Sequence, residues 1–192
     1  MSKEMIAKIA ARYMIERSET EYLYAKERAR LTLGLPDSYP LPSNRQIKKC
    51  IKLFTQNEMG KESFLNQLTE MRTLAEEIMT ILEENDPHLI GSVAQGTIRK
   101  DSDIDIHAYG NPEEIKQKLE NFNYQNIEIE TVENEKGEFS HIQLVEKFRV
   151  EITVYSWEDR LEIPYSSVTG KPMLRFTLQQ TRKLLSCNCY EI

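Results

Sequence analysis

Cysteine is scarce in this 192-residue chain, which has only Cys50, Cys187 and Cys189. An odd count with these spacings matches neither a zinc pattern nor a disulfide framework, so free thiols in the cytoplasm are the expectation. No apolar run approaches the eighteen or so residues that a membrane-spanning helix needs. The N-terminus carries Glu4 and Glu16 and lacks the apolar stretch of a cleavable leader, so no signal peptide and no membrane association are expected. Tryptophan occurs once. No internal repeat and no low-complexity segment is visible. What remains is a hydrophobic content of 40%, enough for an ordinary core, and a length that suits one domain or one core with an appended helical region.

Charge is unevenly spread. Residues 1–60 carry eleven Lys and Arg against seven acids, and the remainder carry fourteen against twenty-four, which gives the net charge of −6. A basic N-terminal part fits an anionic partner such as nucleic acid and equally fits a solvated helical face. The acidic remainder fits carboxylates arranged around a cation.

Periodicity places the elements. Ile6, Ile9, Ala10, Tyr13 and Met14, and then Tyr22, Ala25 and Ala29, recur at helical spacing, so one long helix or two in series are expected from Ser2 to about Leu31. Gly34-Leu35-Pro36 ends that region. Ser43 is placed to cap a second helix, and Gly60 separates it from a third that runs through Phe64, Leu68, Met71 and Ile78. His88–Ile90 reads as a short strand, Asn111-Pro112-Glu113-Glu114 as a helix start, and Ile127–Val132, Phe139–Val145 and Phe148–Tyr155 as three strands joined by turns at 134–137 and 146–147. Pro164 and Gly170-Lys171-Pro172 mark a loop before a closing helix over Thr177–Leu185. The division that follows is an N-terminal helical region, 1–85, a mixed core, 86–160, and a C-terminal loop and helix, 161–192.

The stretch that carries chemistry is Gly91-Ser92-Val93-Ala94-Gln95-Gly96-Thr97-Ile98-Arg99-Lys100-Asp101-Ser102-Asp103-Ile104-Asp105-Ile106. Side chains alternate along a strand, so Asp103 and Asp105 point together and Ile104 and Ile106 point to the core. Two carboxylates side by side repel and lose hydration, which suggests a site for a cation, and Mg²⁺ with a nucleotide phosphate is the natural occupant. Gly91 suits a backbone conformation that other residues resist, and Ser92 offers a hydroxyl and an N–H to an anion at the start of a helix. Thr97, Arg99, Lys100 and Ser102 make the connection polar and partly cationic. Asp101 reads as a solvated loop acid, whereas Arg99 and Lys100 fit phosphate contacts and plain surface charge alike. The glycines are not a P-loop, because Thr97 stands where that motif requires Lys and Ile98 where it requires Ser or Thr.

Gly91-Ser92, ten further residues and then Asp103-Ile104-Asp105 resemble the signature of the DNA polymerase beta-like nucleotidyltransferase superfamily. Gly-Ser-Val-Ala-x-Gly-Thr followed by Ser-Asp-Ile-Asp-Ile looks most like its archaeal-type CCA-adding and oligoadenylate synthetase branch, over about His88 to Tyr155. The resemblance implies an α+β fold, a nucleotidyltransferase-type mixed sheet with flanking helices behind the N-terminal helices. It implies a third carboxylate on a later strand. Glu151, the lone acid between Val150 and Ile152 in an alternating strand, is the candidate, at a position where many members carry Asp; Gln95 likewise stands where many carry Arg.

The implied activity is a magnesium-dependent transfer of NMP from a nucleoside triphosphate, ATP among them, to a hydroxyl. Asp103, Asp105 and Glu151 would be the catalytic residues and the ligands of two Mg²⁺ ions. Gly91, Ser92, Thr97, Arg99, Lys100 and Ser102 would contact the nucleotide. The acceptor stays open between an RNA end, a protein and a small molecule. The alternative is a catalytically inactive nucleotide-binding or protein-interaction module of the same fold, including an antitoxin-like partner protein. His107 and Tyr109 follow Asp105 on its face and either line the pocket or serve as ordinary hydrogen-bonded residues, while His88 and His141 show no partner pattern.

Overall fold

In the computed structural model, residues 3–134, 137–162, 164–165 and 172–186 are described. The turn residues Glu135 and Lys136, the loop residues Gly170 and Lys171, and both C-terminal cysteines fall outside them. The chain divides into two compact units, one comprising Met1–Phe64 with Tyr165–Lys171, the other Leu65–Pro164 with Pro172–Ile192.

The first unit is helical. Helices α1 (Lys3–Ile15), α2 (Tyr22–Thr32) and α3 (Asn44–Met59) follow one another, so the N-terminal periodicity resolves into two helices in series. Residues 16–21 break it, where Arg17 takes a left-handed φ of 55°. Small residues Ala7, Ala10, Ala11, Ala25 and Ala29 pack with Ile6, Ile47 and Ile51 in a closed core, and the small alanines let the backbones approach. Ser43 caps α3 by accepting from the Gln46 N–H, and the Gln46 side chain accepts from the Ser43 N–H in return, which satisfies two otherwise unpaired donors. Gly60, at φ 84°, ends the helix, and α4 (Lys61–Ile81) starts at once and runs into the second unit.

The second unit is built on a six-stranded mixed sheet. Its strands are β1 (His88–Ile90), β2 (Ile104–Tyr109), β3 (Glu128–Asn134), β4 (Gly137–Val145), β5 (Arg149–Tyr155) and β6 (Phe176–Thr177), in the order β3-β4-β5-β2-β1-β6. Among the described residues, only β2 and β5 pair in parallel; the other pairs are antiparallel. Between β1 and β2 lies a single short helix, α5 (Gly91–Gln95); α6 (Pro112–Asn121) follows β2 and α7 (Leu178–Ser186) follows β6. Asn111 caps α6 through its side-chain oxygen, with Pro112 at the first turn. This is an α+β fold. The strand β6 and the 3-10 turns Glu83–Asn85 and Trp157–Leu161 are absent from the sequence expectation, because two to five residues are too few to show a period.

Alternation gives the sheet two unlike faces. Leu89, Ile104, Ile106, Ala108, Ile142, Leu144, Val150, Ile152 and Val154 are buried on one side, and α4 and α6 contribute further buried apolar residues, among them Leu68, Met71, Ile78, Ile115 and Leu119. The other face carries Asp105, His107 and Tyr109 of β2 in register with Glu151, Thr153 and Tyr155 of β5.

Candidate functional site

The polar face of the sheet draws the chemistry together. Asp105 on β2 is the register partner of Glu151 on β5 and of Ile90 on β1. Directly opposed residues of neighbouring strands share a face, so the two carboxylates stand side by side on adjacent strands. Asp103 lies one residue before β2, where the chain enters the strand, rather than within it. Its charge and that of Glu151 both reach Asp105. Burial first, then Asp103, then Glu151 push the Asp105 carboxyl from its ordinary 3.8 up to about 7.

Gly91 is fitted to this carboxylate. Its φ of 69° is left-handed, and a Cβ there would stand 2.1 Å from Asp105 Oδ2. No other residue lets the turn close so tightly over Asp105. Helix α5 begins at Gly91 itself, not beyond Ser92, and lasts five residues before Gly96 ends it with φ 66°.

The rest of the connection is braced from within. Ser92 Oγ donates to Ser102 Oγ at 3.2 Å, and Ser102 Oγ accepts from the Arg99 N–H at 2.9 Å. The Thr97 N–H donates to the Ser92 carbonyl at 2.9 Å. Ser102 and Thr97 are buried, whereas Lys100 is exposed and Arg99 half-buried. Of the six residues expected to meet a nucleotide, Ser92 and Ser102 thus also hold the loop's own shape.

Glu151 has a neighbour that spacing alone does not disclose. His141 on β4 places Nδ1 3.1 Å from Glu151 Oε1 and 3.4 Å from Thr153 Oγ1. The pairing follows from the β4–β5 register, in which His141 opposes Thr153 and Gln143 opposes Glu151. It is invisible in sequence because the residues are ten apart across a hairpin.

Beyond the carboxylates the face becomes aromatic. The ring of His107 meets Tyr155 edge-on at 5.0 Å, and Tyr109 lies 6.0 Å from Tyr155. Arg175 Nη1 donates to the Tyr109 hydroxyl at 2.6 Å. His107 is buried, and desolvation together with the nearby Arg175, His88 and His141 lowers its pKa to about 4, so the ring is neutral. His107 and Tyr109 therefore form the packed floor of the face rather than an open wall.

Among the described residues, no group of three or more His, Cys, Asp and Glu is gathered closely enough to hold a metal ion as it stands. The chemistry of the donors nonetheless fits a hard divalent cation. They are all carboxylate oxygens, and burial first, then the charges of Asp103 and Glu151, keep Asp105 protonated to near neutrality, a condition that a divalent cation relieves. Among the described residues, no helix is long and apolar enough to cross a membrane.

Residues 71–161 match the model of the nucleotidyltransferase domain. That segment contains α5, the Asp103–Asp105 connection and Glu151. No protein of curated function matches the chain. Among solved structures, a cytoplasmic RNA terminal U-transferase is similar at 17% identity with a TM-score of 0.35, over 55% of this chain and 34% of that one. The chain thus aligns with about a third of that enzyme's length.

Proposed function

We propose that this chain, whose residues 71–161 match the nucleotidyltransferase domain model, transfers a nucleoside monophosphate from a nucleoside triphosphate to a hydroxyl acceptor. The observation that carries the reading is the Asp105 carboxylate, held against Gly91 and in register with Glu151. Asp103 and Asp105 would hold one Mg²⁺, and Glu151 with one or both aspartates a second. When bound, the ions neutralise the triphosphate and lower the pKa of the attacking hydroxyl. The backbone of Gly91 and Ser92 receives phosphate oxygens. Arg99 and Lys100 add positive charge beside them, Thr97 is placed to contact the nucleotide, and Ser92 and Ser102 also keep the turn in shape. His141 orients Glu151 toward its work. Little covalent chemistry falls to the protein; placement and charge neutralisation dominate.

The acceptor class is an RNA end, a protein or a small molecule, and the cytoplasm is the compartment that fits this chemistry. A purified chain incubated with labelled triphosphates, Mg²⁺ and each acceptor class should transfer label, and Asp103→Ala should abolish transfer while the fold persists. Failure with all four triphosphates and every acceptor class would refute the proposal. A second reading, a module that binds nucleotide without transferring it, draws support from the Glu151 carboxylate being engaged by His141. It predicts nucleotide binding by calorimetry with no release of pyrophosphate.

A further inference from the structure

We propose that Arg72, on helix α4, is the positioning residue that fixes the Gly91–Gly96 turn over Asp105. This rests on the transferase reading for its kinetic consequence, though not for its structural one.

Arg72 is only 3% exposed. A guanidinium stays charged at every working pH, so burial demands that its donors be used. Nε donates to the Val93 carbonyl at 3.2 Å and Nη2 to the Ala94 carbonyl at 3.5 Å. These carbonyls lie in the last turn of α5; that of Val93 also accepts from the Gly96 N–H at 3.4 Å, and the end of so short a helix leaves its acceptors open to further donors. A cation at that end also opposes the partial negative charge of the carbonyls. Gly96 suits this end of the turn through its left-handed φ of 66°, and a Cβ there would meet Arg72 Nη2 and Leu68 Cδ2 at contact distances of 3.4 and 3.7 Å.

The same helix grips the turn again further on. Gln67 Nε2 donates to the carbonyls of Arg99 and Lys100, both at 3.3 Å. Arg72 therefore holds the near end of the connection and Gln67 the far end. Between them lie the Thr97–Ser92 and Ser92–Ser102 bonds that set where Ser92 stands relative to Asp105. The planar fork reaches two carbonyls at once, which an ammonium on a flexible stem does only in part.

The test compares wild type with Arg72→Met and Arg72→Lys. Hydrogen exchange of the amides at 92–97 should speed up about tenfold or more in Arg72→Met, while 150–154 in β5 keep their protection, and Arg72→Lys should lie between. In steady-state transfer, kcat/KM for the triphosphate should fall about 10²-fold in Arg72→Met, with KM for the acceptor unchanged and partial recovery in Arg72→Lys. Wild-type exchange at 92–97 in Arg72→Met overturns the proposal. So does a loss of protection spread evenly over the sheet, which marks a merely structural residue. Should Arg72→Met not fold, Arg72→Lys and Gln67→Ala supply the exchange measurement, and local loosening at 92–100 is again required. If the wild type transfers nothing, the transferase reading fails, and the exchange result still decides the role of Arg72.

Discussion

Asp105 concentrates the chemistry of this chain in one side chain. Its carboxyl holds its proton up to about pH 7, where an unfolded aspartate loses it near 3.8. The folded state therefore binds the proton more tightly. The stability that this contributes is complete below pH 3.8 and is lost as pH rises through about 7. Without divalent cations, the melting temperature should fall between about pH 4 and pH 7, and Asp105→Asn should flatten that fall; an equal slope in both proteins contradicts the assignment. A cation needs the ionised form, so Mg²⁺ affinity should rise over the same interval and binding should release a proton, measurable by calorimetry in two buffers of different ionisation enthalpy. Gly91→Ala places a methyl group into Asp105 and strains a left-handed φ. Transfer should drop about 10²-fold with the far-ultraviolet dichroism retained.

Elements with a repeated pattern were legible in the sequence, and those made by long-range pairing were not. The caps at Ser43 and Asn111 act within three residues, so they could be read locally, and α3 and α6 begin where they predict. Ser43→Ala removes the capping box and should cost about 1 kcal/mol in urea unfolding. The alternation around Glu151 gave β5 its buried and polar faces, and Ile152→Ala should cost about 2–5 kcal/mol because Ile152 is fully buried. By contrast, β6 is two residues long and exists because it pairs with β1. The His141–Glu151 and Arg72–Val93 contacts cross between separate elements, and no spacing rule reports them. Asp103 and Asp105 were expected to share a strand, but β2 starts between them at Ile104. The face that joins Asp105 to Glu151 follows from the parallel β2–β5 register, which required the fold itself.

For the whole molecule, the charge division offers a separate test of the acceptor. The excess of cations in residues 1–60 would give RNA affinity a steep salt dependence if those helices meet the acceptor. A flat salt response would direct attention to a protein or small-molecule hydroxyl. The central claim is narrower: Asp103, Asp105 and Glu151 together take a magnesium-bound triphosphate beside Gly91. The most direct measurement is thermal unfolding of the full chain with a non-hydrolysable triphosphate, with and without Mg²⁺, in wild type and in Asp105→Ala. The account predicts stabilisation of about 2.7 kcal/mol at a ligand concentration a hundred times the dissociation constant, present only with Mg²⁺ and absent from the variant. Equal stabilisation in the variant, or none in the wild type with all four bases, would contradict it.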